Sequence, residues 1–200
     1  FLLIERYDRS FDADGRVQRI HQEDFCQAIG IPPEKKYAIE GGPAIVDCFK
    51  LVRECSAVPG RDVIELLNAT VFNVIVGNAD AHGKNFSILY PSGGPRLAPL
   101  YDLLSTAFYP EISAGFAMKI GRRSTLGELD AKGWERFAAD AGIGWPLVRQ
   151  RVGEMATKID AKIASVIAEI VSLGLDPVIV NDLATSIRNR IAPCVTSVTK

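Results

Sequence analysis

At 200 residues and 48% hydrophobic, the chain is long enough to bury a core of its own, as one domain or a domain with a small appendage. A formal net charge of −1 gives no footing for nucleic-acid binding as a main activity, and no apolar run reaches the roughly 18 residues needed to span a bilayer. The four cysteines, Cys26, Cys48, Cys55 and Cys194, contain no C-x-x-C pair. A helix through Cys48 would hold it roughly 10 Å along the axis from Cys55, beyond disulfide reach. With no basic-then-apolar leader in view, the expectation is a reduced, cytoplasmic protein without membrane contact.

In chain order, residues 1–21 read as two strands about a turn: FLLIERYDR, SFDADG, then RVQRIH, with Asp14-Gly15 suited to positive φ. QEDFCQAIG predicts a short helix, acidic in its first turn and stopped by Gly30. Pro43 then takes the first position of a helix in which Ile45, Phe49 and Val52 recur at helical spacing as far as Glu54. Residues 62–76 predict the most apolar helix of the chain, one that belongs inside a domain because more than one face is apolar.

FSILY and RLAPLYD follow as two strands around PSGGP, and GFAMKIG predicts one more. From Thr125 the pattern is helical. Val148, Val152, Met155, Ile159, Ile163, Val166 and Ile170 step by three or four, so Pro146–Leu173 is one long amphipathic helix, closed by Gly174. DPVIVNDLATSIRNRIA is the last helix. The fold class is α+β, mostly α, with small β pieces within residues 1–21 and 86–120.

Between the apolar helix and FSILY lies NADAHGKNF, where Asp80, His82, Lys84 and Asn85 crowd into a few residues. Asp80 and Asn85 have the D-x-x-x-x-N spacing of a kinase catalytic loop. That chemistry needs one carboxylate to accept the proton of an attacking hydroxyl. It needs an amide oxygen to hold Mg²⁺ without adding negative charge beside phosphates, and a second carboxylate to bridge metal and phosphates. Asp102 suits the last role, because a hairpin over residues 86–99 would return the chain beside the loop. The spacing alone is weak. The order of buried helix, polar loop, strand pair and Tyr-Asp carries more.

ERYDR (5–9), HQEDFCQAIG (21–30), KYAIEGGPAI (36–45), DAHGKNFSI (80–88) and LAPLYDLLS (97–105) together resemble HipA-like serine/threonine kinases, the toxins of bacterial toxin–antitoxin modules. They stand in that family's order across residues 1–105, while residues 106–200 add a helical end without a diagnostic motif. The resemblance implies the C-terminal lobe of a protein-kinase-like fold over residues 1–200: a hinge and β-hairpin at 1–21, a catalytic core at 22–105 and a helical part at 106–200. It implies ATP and Mg²⁺ as cofactors and a Ser/Thr hydroxyl of a protein as acceptor. A DNA-binding antitoxin is the implied partner, with any DNA contact indirect. Asp80 resembles the catalytic base, and Asn85 and Asp102 the Mg²⁺ ligands. His82, Gly83, Lys84 and Asn85 resemble the phosphate-side contacts, Tyr101 with Asp102 resembles the residues packed beside the nucleotide, and Gln22 is similar to a residue near the ribose. Glu5, Arg6 and Tyr7 match the hinge whose backbone meets the adenine edge, with Tyr7 in place of a frequent Phe.

The Gly-rich loop and strand lysine that such a kinase also needs do not occur ahead of these motifs in a chain that starts at Phe1. The expectation is that they lie upstream and that this stretch alone is inactive. Two other readings stand beside the kinase: a metal-dependent phosphohydrolase using Asp80, His82 and Asp102, and a non-catalytic module that holds an antitoxin. Blander roles compete residue by residue. His82 could cap its loop, Lys84 could be a solvated charge, Cys26, Cys48, Trp134 and Trp145 read as packing, and Arg188 to Arg190 read as a solvated helix face, with a DNA or antitoxin contact as the alternative.

Overall fold

Asp12 and Gly15 make the first turn of the chain. One carboxylate oxygen of Asp12 accepts the N–H groups of Asp14 and Arg16 at 3.0 and 2.8 Å, and Gly15 takes a φ of 76°. Around that turn β1 (Arg9–Phe11) pairs antiparallel with β2 (Val17–Arg19). The computed structural model describes residues 4–112 and 115–199. Residues 4–8 are not a strand, contrary to the sequence expectation, and Phe1–Leu3 lie outside the described residues. The local reason is Asp8, buried and gripped by Arg6 and Arg9, which turns the chain at Tyr7-Asp8 just before β1.

The chain divides into two units, residues 1–66 with 82–102 and residues 67–81 with 103–200. In the first, β3 (His21–Asp24), β4 (Ser87–Tyr90) and β5 (Arg96–Leu97) form an antiparallel sheet with β4 in the centre. His21 stands opposite Tyr90, and Ile88 opposite Leu97. The residues QED expected to open a helix instead complete β3. Asp24 then caps α1 (Phe25–Ile29) by accepting the Gln27 N–H at 2.9 Å, while the Gln27 side chain accepts the Asp24 N–H at 2.9 Å. The acids of that stretch serve a strand and a cap, not a first turn.

Helix α2 (Ile45–Cys55) buries Ile45, Cys48, Phe49 and Val52, one face at 3.6-residue spacing. Pro43 lies before the cap residue Ala44 and not in the first turn as expected. Helix α3 (Pro59–Val76) starts three residues earlier than expected and buries Leu66, Leu67, Val71, Val74 and Ile75.

The second unit is helical: the end of α3, then α4 (Ala131–Asp140), α5 (Trp145–Ser172) and α6 (Pro177–Ser197). Trp134 is fully buried and donates its indole N–H to the Ser197 hydroxyl at 2.8 Å. The burial of Cys194, Ser197 and Val198 explains why α6 runs past Pro193 to Ser197, five residues beyond the expected stop. The apolar stripe of α5 is buried at Val148, Val152, Ala156 and Ile163, whereas Val166 is 44% exposed. Residues 115–121 do not form the expected strand. They hold one isolated bridge, Ile120 with Arg123, closed by positive φ at Gly121 and Arg122. A Cβ on Gly121 would lie 1.7 Å from the Gly133 carbonyl oxygen, so the turn packs directly on α4. The result is a mostly helical α+β chain with two small sheets.

Candidate functional site

α3 ends in a left-handed turn. Gly77, at φ 78°, and Asn78 both donate their N–H to the Asn73 carbonyl, at 3.1 and 2.9 Å. The Asn78 amide then joins Asn73 Oδ1 at 3.1 Å and accepts the Asp80 N–H at 3.1 Å. An Asx turn therefore presents Asp80 at the head of the polar loop, half-buried, within the second unit. The chain passes to the first unit at His82.

In the first unit a cleft of about 590 Å³ gathers Glu5, Arg6, Tyr7, Gln22, Lys84, Tyr101 and Asp102, seven of the residues singled out from sequence. The gathering follows from the sheet. β3 brings Gln22 alongside β4, and the β4–β5 hairpin returns Tyr101 and Asp102 to the segment that holds Lys84. Tyr7 and Tyr101 stack with centroids 6.4 Å apart, and the Tyr7 hydroxyl donates to Gln22 Oε1 at 2.8 Å. The Tyr101 hydroxyl donates to the Lys84 carbonyl at 2.7 Å and lies 2.7 Å from Ser87 Oγ. Burial pushes the Tyr101 phenol up to about 12 and raises that of Tyr7, so both remain neutral hydrogen-bonding groups. Arg6 holds the Asp8 carboxyl well below the usual carboxylate range, chiefly by donating hydrogen bonds to it.

Asn85 is buried and does not itself line the cleft; it donates its side-chain amide to Oδ2 of Asp102, which does, at 2.5 Å. Asp102 adopts φ 54°, a left-handed conformation that few residues other than glycine accept and that Asp and Asn tolerate best. One carboxylate and one amide oxygen make a hard, incomplete ligand set, the kind Mg²⁺ uses when phosphates supply the remaining oxygens. Among the described residues no three His, Cys, Asp or Glu side chains converge on one point.

His82 and Gly83 are buried and do not line the cleft. The His82 ring meets the Tyr37 ring edge-on at 5.2 Å. A Cβ on Gly83 would lie 2.3 Å from Pro43 Cγ, so glycine is needed there for packing. Sequence reasoning missed Asp8, Asp24 and Gln27, which also line the cleft; the clustered charges of ERYDR were the available signal for Asp8. It also missed Asp62, buried, which accepts the Leu97 N–H and the Ser56 hydroxyl, each at 2.7 Å, and so ties the root of the Tyr101-Asp102 segment to α3. An acid in the first turn of a helix ordinarily reads as a dipole partner, which concealed it.

Residues 1–165 match the profile of the HipA-like C-terminal domain. "Putative kinase Y4mE" of Sinorhizobium fredii is 56% identical over 190 residues, 95% of this chain and 45% of that protein. "Serine/threonine-protein kinase toxin HipA" of Shewanella oneidensis is 32% identical over 182 residues, 85% of this chain and 41% of that protein. A solved complex of Shewanella oneidensis HipA, HipB and operator DNA superposes with a TM-score of 0.80 at 28% identity, covering 95% of this chain and 47% of that one. The chain spans less than half the length of these relatives. No helix among the described residues is long and apolar enough to cross a membrane. On the profile match over most of its length, the chain belongs to the HipA-like C-terminal domain family.

Proposed function

We propose that this chain is the C-terminal lobe of an ATP- and Mg²⁺-dependent serine/threonine protein kinase, the toxin of a bacterial toxin–antitoxin pair. The observation that carries the reading is the single cleft that collects Tyr7, Gln22, Lys84, Tyr101 and Asp102, with Asn85 bonded to Asp102. The Tyr7-Tyr101 pair gives an apolar wall for a flat base, the Glu5 to Tyr7 backbone offers donors and acceptors to its edge, and Gln22 stands on the ribose side. Lys84 brings positive charge toward the phosphates. Asn85 and Asp102 would hold Mg²⁺, whose chemistry is to neutralise charge on the transferring phosphoryl group. Asp80 accepts the proton of the acceptor hydroxyl. The named relatives support both the kinase and the toxin assignment, and the neighbour solved with HipB and operator DNA supports a DNA-binding antitoxin as partner.

The test is Mg–ATP binding by calorimetry on the full-length protein, together with phosphate transfer from labelled ATP to a protein Ser or Thr. Binding that vanishes in a Tyr101→Ala variant, together with transfer by the parent, supports the reading. A parent that binds no Mg–ATP, or that releases phosphate from simple esters without ATP, sinks it.

A further inference from the structure

The last four carbonyls of a helix have no partner within it. In α3 every one of them is taken, and from three directions. Asn73 O accepts the N–H groups of Gly77 and Asn78. Val74 O accepts Arg190 Nη2 at 2.9 Å, Ile75 O accepts Arg190 Nε at 3.1 Å, and Val76 O accepts the Ser105 hydroxyl at 2.7 Å. The next carbonyl, Gly77 O, accepts the Thr106 hydroxyl at 3.1 Å and the Ala107 N–H at 2.9 Å, and Thr106 Oγ1 in turn accepts the Ala79 N–H at 2.7 Å. All of these groups belong to the second unit.

Arg190 has the chemistry for its place. A planar guanidinium offers two N–H groups in a fixed fork that suits two adjacent carbonyls, and its charge sits at the negative end of the α3 dipole. It is half-buried, and burial lowers its pKa from the usual arginine value, the desolvation that those carbonyls offset. The fit leaves no spare room: a Cβ on Gly77 would lie 2.8 Å from Arg190 Nε and 2.6 Å from the Ala107 Cβ. From the clamped carbonyls to Asp80 the path is short, through the Gly77-Asn78 turn and the bond from the Asp80 N–H to Asn78 Oδ1.

We infer that Arg190, on the last helix, is a positioning residue for the Asp80 loop, clamping the end of α3 from which that loop springs. The inference rests on the proposed role of Asp80 as general base. It also corrects the sequence expectation that Arg188 to Arg190 form a solvated face, since Arg188 is exposed and Arg190 is not.

The experiment uses the full-length protein with Arg190→Met, which removes both donors, and Arg190→Lys, which keeps the charge without the fork. Hydrogen exchange of the Gly77–Asp80 amides is read beside kcat and the Kd for Mg–ATP. Arg190→Met should speed exchange at Gly77–Asp80 while β3–β5 stay protected, and should lower kcat by about 10²-fold, the scale of a small misplacement of a reacting group. Kd should stay within about twofold, and Arg190→Lys should recover about a tenth of parent kcat. Should Arg190→Met not fold, the same readings on Arg190→Lys decide. Unchanged exchange at Gly77–Asp80 overturns the inference, and so does a loss of protection spread evenly over the chain. A parent without phosphoryl transfer sinks the kinase reading instead, and the exchange result still decides whether Arg190 holds the loop.

Discussion

Asn85 donates its side-chain amide to the carboxylate of Asp102, 17 residues further along the chain. Asn85 stands just before β4 and Asp102 a few residues after β5, so the antiparallel hairpin between them returns both to the same end of the sheet. A short register, Ile88 opposite Leu97, is what brings these two distant polar residues into one hydrogen-bonded pair.

The first prediction separates Asp102 from Asp80 in the full-length protein. Asn accepts the left-handed backbone that Asp102 adopts, so Asp102→Asn tests charge and not strain. It should weaken Mg–ATP binding and turnover together, because a hard cation loses an anionic oxygen. Asp80→Asn should leave Mg–ATP affinity equal or higher and cut turnover by about 10²-fold or more, the usual scale of general-base assistance. Calorimetry and phosphoryl-transfer rates on both variants check the division. Asp80→Asn losing ATP affinity while Asp102→Asn keeps both binding and rate would reverse the roles.

Much of this arrangement was legible in the sequence because it depends on local pattern. Apolar periodicity located α2, α3, α5 and α6 to within a few residues, apart from the C-terminus of α6, and PSGGP located the hairpin between β4 and β5. What failed was decided by contacts the sequence does not announce. QED became β3 because β4 offered it a pairing edge, and residues 115–121 stayed irregular because Gly121 packs on Gly133. Seven expected site residues meet in one cleft, yet Asp62 and Arg190 went unnoticed as supports. The Leu97 N–H that Asp62 accepts and the Val74 and Ile75 carbonyls that Arg190 bonds are backbone groups far along the chain, which no spacing rule reveals.

Tyr101→Phe is predicted to keep the ring against Tyr7 and to lose both hydroxyl contacts, with the Lys84 carbonyl and Ser87 Oγ. Removing the donor from a partly buried carbonyl should lower stability by about 1–2 kcal/mol. Urea unfolding with an unchanged m-value measures it. A variant as stable as the parent would mean that water replaces the hydroxyl.

Asp62→Ala should be worse. It strips the Leu97 N–H and the Ser56 hydroxyl of their shared buried acceptor, at about 1–3 kcal/mol for each donor left unsatisfied. Because Leu97 leads into the Tyr101-Asp102 segment, Mg–ATP affinity should fall as well, whereas a purely global effect would lower only the melting temperature. Asp62→Asn, which retains an acceptor oxygen, should recover part of both. Equal damage from Ala and Asn would show that the charge matters and the acceptor geometry does not.

The final prediction concerns alkaline pH. Burial raises the thiols of Cys26, Cys48, Cys55 and Cys194, the last to about 12. Tyr101 is raised to about 12 by burial, and Tyr90 to about 12 by its hydrogen bond to the Glu23 carboxylate and then by burial. These acids are neutral when protonated, so a raised pKa means that the folded chain keeps a proton the unfolded chain has already released. The associated stability is complete below the unfolded values, roughly 8.5 for thiols and 10 for phenols. It is lost as pH climbs through them toward the folded values, since the unfolded state there binds fewer protons. The melting temperature should therefore be insensitive to these groups up to about pH 8, decline as thiols ionise, and drop more steeply above about pH 10. Tyr101→Phe should flatten the steeper limb, because the variant has no phenol at that position to titrate. Thermal melts of the parent and of Tyr101→Phe across this range, under reducing conditions, measure the two slopes. Equal slopes above about pH 10 would mean that Tyr101 ionises alike in the folded and unfolded chains, and that burial does not hold its proton.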